Sequence, residues 1–144
     1  METLIAATAN ACFDLARDTD VHVQTTSSSR ERVVAGKKLL ELGDTVTFEA
    51  IHLGFRQRLT SRITRFEPPG LFEDTMARGI FRSFVHLHEF FEVPGGVTRM
   101  VDTLDYVSPL GKLGRMADRL FLHRYLKRLL QARAFALKAF AERA

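Results

Sequence analysis

His86-Leu87-His88 is the densest concentration of proton-transfer and metal-ligating chemistry in the 144-residue chain. The pair lies in an alternating run: Phe84, His86, His88 and Phe90 share one parity, and Val85, Leu87, Glu89 and Phe91 the other. A second run repeats the pattern, with Met100, Asp102, Leu104 and Tyr106 set against Val101, Thr103 and Asp105. Side chains on a strand alternate between its two faces, so each set belongs to one side of a sheet. Pro94-Gly95-Gly96 joins the runs. A hairpin folded about Gly95 sets His88 opposite Asp102 and Phe84 opposite Tyr106. Folding about Gly79-Ile80 brings Asp74 alongside His86 and Met76 alongside Phe84. His52 arrives from the far side of the sheet, beside the Leu53-Gly54 turn. The inward polar set is then His52, Gln57, Asp74, His86, His88 and Asp102, among Phe48, Phe55, Phe72, Met76, Phe84, Phe90, Met100, Leu104 and Tyr106.

Three kinds of chemistry suit that set. Buried carboxylates need hydrogen-bond partners, and imidazoles supply them, so the pairs can be internal structure. The same groups can orient the polar end of an otherwise apolar ligand. They can also move protons, with His86, His88 and Asp102 as the candidate catalytic residues. A metal is not expected, because several donors must converge at about 2.0–2.2 Å from one point and these already have cross-strand partners. No cofactor is expected either. The chain has no Gly-x-Ser-x-Gly, no phosphate-binding glycine loop with its lysine and no Gly-x-Gly-x-x-Gly.

The elements that would position these groups follow from periodicity. Residues 2–7 read as a short strand. Ala9, Cys12, Phe13 and Ala16 then fall on one face of a short helix capped by Thr8 or Asn10. Asp18 or Asp20 caps a second brief helix over Val21–Thr25, Ser27–Arg30 is loop, and a strand is expected over Glu31–Lys38. From Thr45 the chain is a meander broken at Leu53-Gly54, Glu67-Pro68-Pro69-Gly70, Gly79 and Gly95. On its outer face Arg56, Arg58 and Arg62 lie beside Glu49 and Glu73 as a ladder of paired charges. Val85, Leu87, Phe91 and Val101 break that polar trend, and a homodimer through Val85, Leu87 and Phe91 is one use for the patch. A helix starting between Pro109 and Gly114 runs to the C-terminus. Its stripe is Ala117, Phe121, Tyr125, Leu129, Ala132, Ala136 and Phe140, flanked by Leu122, Leu126, Leu130 and Leu137. Phe121 and Tyr125 project where the sheet should stand farthest from the helix.

Composition bounds the rest. Apolar and charged fractions of 46% and 26% are ordinary for a single globular domain spanning 1–144. Cys12 is the only cysteine, so a disulfide framework within the chain is excluded and a cytoplasmic setting is expected. No apolar run approaches the roughly 18–20 residues that span a bilayer, and Met1–Ala7 carries an acid and no basic leader. Residues 111–144 hold nine Lys/Arg against two acids, so this final segment carries +7 and the first 110 residues −3 of the net +4. A solvated basic face is the reading of that segment, with no nucleic acid and no membrane insertion expected.

The order of elements, together with several stretches, resembles the SRPBCC superfamily, which includes START domains, the birch pollen allergen and bacterial polyketide cyclase/dehydrase-like proteins. The stretches are Cys-Phe-Asp-Leu-Ala-Arg-Asp-Thr-Asp-Val-His (12–22), Arg-Gln-Arg-Leu-Thr-Ser-Arg-Ile (56–63), Phe-Arg-Ser-Phe-Val-His-Leu-His (81–88) and Pro-Leu-Gly-Lys-Leu-Gly-Arg-Met-Ala-Asp-Arg-Leu-Phe-Leu (109–122). The chain departs from that pattern at its start, with Thr-Ala-Asn-Ala where such proteins commonly carry Ala-Pro. The resemblance implies an α+β helix-grip fold: a seven-stranded curved antiparallel sheet, two short helices after strand 1, and a long C-terminal helix over an internal cavity. It further implies a hydrophobic small-molecule ligand, such as a lipid or polyketide. The expected ligand contacts are Phe48, His52, Phe55, Gln57, Asp74, Met76, Phe84, His86, His88, Met100, Asp102, Leu104, Tyr106, Phe121 and Tyr125. The entrance is expected among Leu53–Phe55, Gly79-Ile80 and the first turns of the helix. A cyclase/dehydrase-type enzyme using pocket His and Asp, and an interaction module on the outer sheet face, are the alternatives.

Overall fold

A computed structural model describes residues 1–26 and 29–143. Ser27 and Ser28, in the expected 27–30 loop, lie outside those residues, as does Ala144. The elements are β1 (Glu2–Ile5), α1 (Ala9–Ala16), α2 (Thr19–Thr25), β2 (Arg32–Ala35), β3 (Thr45–His52), β4 (Phe55–Glu67), β5 (Leu71–Arg78), β6 (Ser83–Val93), β7 (Val97–Val107), α3 (Gly111–Ala117) and α4 (His123–Arg143). A π-helical turn, Asp118–Leu122, makes α3 and α4 one continuous rod. The seven strands form one antiparallel sheet in the order β1-β7-β6-β5-β4-β3-β2.

Local chemistry sets the boundaries. The Thr8 hydroxyl accepts from the Ala11 amide to cap α1, and the Asp18 carboxylate accepts from Asp20 and Val21 to cap α2. β2 is shorter than the expected 31–38. A register shift between Val33 and Ala35 and the positive φ of Gly36 turn the chain out of the sheet. Lys38 then accepts a hydrogen bond from Thr19 instead of pairing with β3. The β6–β7 hairpin has the expected register, with His88 opposite Asp102 and Phe84 opposite Tyr106.

α1 closes one end of the curved sheet. Ala9, Cys12, Phe13 and Ala16 are all buried, and the Phe13 ring lies 5.4–5.7 Å from those of Phe66, Phe72 and Phe90. Met100, Leu137 and Ala141 complete this packed end. The long helix meets mainly α1, α2 and β1. The central strands therefore face a space rather than a helix surface.

The phase of that helix differs from the expected stripe. A π turn inserts an extra residue into the winding, so the inward face beyond it runs through Leu122, Leu126, Leu130, Ala134, Leu137 and Ala141. Of the expected stripe, Tyr125, Leu129 and Ala132 line the space facing the sheet, whereas Phe121 is 49% exposed. On the outer sheet face Glu49 is the hub, accepting from Arg32 as well as the expected Arg58, with Arg56 at 3.7 Å. Val85 and Leu87 are half-buried, and Phe91 is exposed beneath the Arg99 guanidinium.

Candidate functional site

The histidine pair is fixed from three strands. On β7, Asp102 presents one carboxylate oxygen to both His86 Nε2 and His88 Nδ1, each at 3.0 Å. On β5, Asp74 meets His88 Nε2 at 2.9 Å. The expected pairing of Asp74 with His86 holds for the backbone register, but its side chain reaches diagonally to His88, a neighbour within range across a sheet. The two imidazoles are 3.8 Å apart, and Phe72 stacks on His88 at 4.3 Å.

These contacts divide the protonation states. Burial alone would lower the His88 pKa, but a carboxylate on each ring nitrogen raises it above its ordinary value. With a carboxylate oxygen on each ring nitrogen, His88 is placed to donate from both. Burial, and then the His88 charge, push His86 down to about 4. His86 is neutral at pH 7 and gives its one N–H to Asp102, which leaves Nδ1 as a lone pair. Burial would raise Asp102, yet hydrogen bonds from both histidines hold it well below the usual carboxylate range. Asp74 is lowered too, because its bond to His88 outweighs burial.

His86 and His88 sit at the polar floor of a cavity of about 250 Å³ between sheet and helix. Val46, Phe48, Ala50, Leu59, Ile63 and Leu104 line the sheet side; Leu122, Leu126, Leu129 and Leu130 line the helix side. Leu53, Ile80 and Phe81 border it at the end of the sheet where the entrance was expected. His52 Nδ1 bonds the Tyr125 hydroxyl at 2.8 Å across the cavity.

A second polar group lies toward α2. His22 Nε2 meets Glu31 Oε2 at 2.5 Å, and the His22 ring stacks on Phe48. Arg133 reaches in from α4. One of its terminal nitrogens donates to the Ala16 carbonyl at 3.2 Å, whereas its Nε is buried without a partner. Arg133 forms no ion pair among the described residues, although its charge is felt at His22, Glu31 and Asp74. Arg133 borders the cavity, and a guanidinium there is a group from which a ligand oxygen can accept.

Of the residues singled out from the sequence, Phe48, His52, Gln57, Asp74, Phe84, His86, His88, Leu104 and Tyr125 line this cavity. Others do not. Asp102 is buried behind the histidines, and Met100 belongs to the packed core under α1. Phe55, immediately after the β3–β4 turn, is 71% exposed. Phe121 is turned outward by the π turn, and Leu122 takes the inward place. Tyr106 donates to the Asp118 carboxylate and ties the helix to β7. Met76 is half-buried outside the lining. His22, Glu31 and Arg133 were missed. Arg133 had a signal, since it continues the spacing of Leu126 and Leu130 toward Leu137 on the inward face.

Asp74, His86 and His88 offer donor atoms within 4.8 Å of one another. Both His88 nitrogens are committed to carboxylates, so a metal at that point would have to displace the Asp74–His88 bond. The set is better described as a hydrogen-bonded network than as a ligand cage.

No protein-family model and no curated protein matches the chain. Solved structures do. The Zhui aromatase/cyclase from a Streptomyces species superposes with a TM-score of 0.79 at 18% identity, covering 99% of this chain and 92% of that one. TTHA0849 from Thermus thermophilus gives 0.78 at 19%, covering 96% and 92%. A START superfamily protein from Mycobacterium smegmatis gives 0.75 at 14%, covering 99% and 95%. The chain has the helix-grip fold that these structures share, as its order of elements led one to expect.

Proposed function

We propose that this protein binds a hydrophobic small molecule, lipid- or polyketide-like, in the cavity between the curved sheet and the long helix. The carrying observation is the cavity itself: an apolar enclosure whose polar groups converge at its floor and at Arg133. The apolar body of the ligand would lie against Phe48, Leu104, Leu126 and Leu130. An oxygen atom would accept from Arg133, and a hydroxyl would donate to His86 Nδ1. Neighbours in fold include a START superfamily protein and an aromatase/cyclase, and a ligand cavity suits both.

Binding is favoured over catalysis by the protonation states. A general base works best with a pKa near the operating pH, and His86 is held at about 4. Its free nitrogen accepts a hydrogen bond well but takes a carbon-bound proton poorly. His88 has no free nitrogen among its described contacts. The buried lone thiol of Cys12 suits the cytoplasm. Pairing through Val85, Leu87 and Phe91 is a separate reading, tested by sedimentation of the wild type against Phe91→Glu.

Titration of the purified protein with a fluorescent apolar probe, followed by displacement with fatty acids, alcohols and alkanes, tests the assignment. Saturable one-site binding is expected; no probe binding at any concentration would remove it.

A further inference from the structure

The helix changes character at the π turn. Beyond it, Leu122, Leu126 and Leu130 point into the cavity. In α3, Leu113 and Met116 stand at i and i+3, and Leu120 follows within the turn; they are 70%, 61% and 66% exposed. The i, i+3 spacing lays Leu113 and Met116 along one helix face. That face is largely open to solvent among the described residues. Leu110, 80% exposed, adjoins it, and Leu53 and Ile80, each more than half exposed, lie at the cavity rim. A contiguous exposed apolar patch marks an interaction surface.

Backbone conformation supplies an independent observation. Leu53 and Leu110 have φ of 53° and 65°. The left-handed region disfavours a leucine and suits Gly or Asn. Neither leucine is buried, so packing does not account for its presence. Both set an aliphatic side chain outward at the same end of the sheet, where β3 ends, β5 turns into β6, and β7 leads into the helix.

Charge identifies the occupant. Lys112, Arg115, Arg119, Arg124, Lys127 and Arg128 are exposed in and beyond this segment, and none forms an ion pair among the described residues. Arg78 and Arg82 flank Ile80 in the same state. Between residues 107 and 128 the one acid is Asp118, which is occupied by Tyr106. A second copy of this chain would bring like charges together. An apolar stripe beside unpaired lysines and arginines is the pattern of a helix lying in an anionic lipid surface.

We propose that residues 110–121, with Leu53 and Ile80, dock the protein on an anionic phospholipid bilayer. Leucines and Met116 sit among the upper acyl chains, and Lys112, Arg115 and Arg119 lie at phosphate level. Docking sets the cavity mouth against the phase in which an apolar ligand dissolves, sparing it a passage through water. Its purpose rests on the ligand-binding reading; its test does not.

The test is flotation of the full chain with vesicles of phosphatidylcholine alone or with 30% phosphatidylserine, in low and high salt. Wild type is expected to float with the anionic vesicles and to be released by salt. Lys112→Glu/Arg115→Glu/Arg119→Glu and Leu110→Asn/Leu113→Ser/Met116→Ser should each bind at least about tenfold more weakly. The latter should melt no lower than wild type, since its changes are exposed and one relieves a left-handed leucine. Absence of flotation with anionic vesicles, equal binding to neutral ones, or unchanged binding by the apolar variant would overturn the proposal. So would capture by an acidic protein without any vesicle binding. Probe titration of the same samples reads the cavity separately, so loss of docking with retained probe binding fails this proposal alone.

Discussion

At the scale of single residues, the polar floor is governed by one carboxylate oxygen serving two imidazoles. His86 has a folded pKa of about 4 against 6.5 for the free side chain. As pH falls from 6.5 toward 4 the unfolded chain binds a proton that the folded chain does not, so stability declines through that window. The contribution is at most roughly 3 kcal/mol. His88 has the opposite sign: its raised pKa gives stability that is complete below 6.5 and is lost as pH rises through the folded value. Urea titrations at pH 5 and 7 should show wild type losing stability at the lower pH and His86→Gln losing less; equal losses contradict the assignment. Removing Asp102 strands His88 between unequal partners, and Asp102→Asn should destabilise by about 3–5 kcal/mol. Arg133 differs, having a buried Nε without an acceptor. Arg133→Met should leave the melting temperature at or above wild type while weakening oxygen-bearing ligands about tenfold and alkanes little. A parallel loss for both ligand types would show that Arg133 shapes the wall and does not hold an oxygen.

At the scale of elements, the start of the helix is fixed by close approach. A Cβ on Gly114 would stand 1.6 Å from the Pro109 carbonyl oxygen, so Gly114→Ala must push the first helical turn away from the end of β7. We expect a lower melting temperature and faster hydrogen exchange in residues 108–118; unchanged exchange there would contradict this packing. The same region explains what could be read from the sequence. Alternation in β6 and β7 with a Pro-Gly-Gly turn specifies register, because a slip of one residue would send His88 and Asp102 to opposite faces. The floor of the cavity was therefore legible. Phe121 was not, because a π turn is invisible to a 3.6-residue period, whereas Tyr125 and Leu129 of the same expected stripe do line the cavity. Asp74 stands opposite His86 as expected, but its hydrogen bond goes to His88, since register gives backbone neighbours and side chains choose diagonals. Arg133 meets an element 117 residues away, and the His22–Glu31 pair spans an irregular connection, so no local period announces either meeting.

At the scale of the whole molecule, α1 and the C-terminal half of α4 fill one end of the curved sheet, and the other end stays open beneath Leu122–Leu130. A helix that grips a curved sheet packs closely only where small residues allow it, here at Ala134 and Ala141. The remaining space is the cavity, and its contents are the central question. Filling it should separate binding from folding: Leu104→Trp adds bulk at the wall, and is expected to keep the fold at some cost from overpacking, typically about 1–3 kcal/mol. The most direct measurement is native mass spectrometry of the protein isolated without detergent from its own cells, alongside Leu104→Trp. Wild type should carry a single adduct of lipid-like mass that organic solvent removes, and the variant should arrive bare. Wild type that arrives bare, and that also ignores apolar probes, would contradict the account.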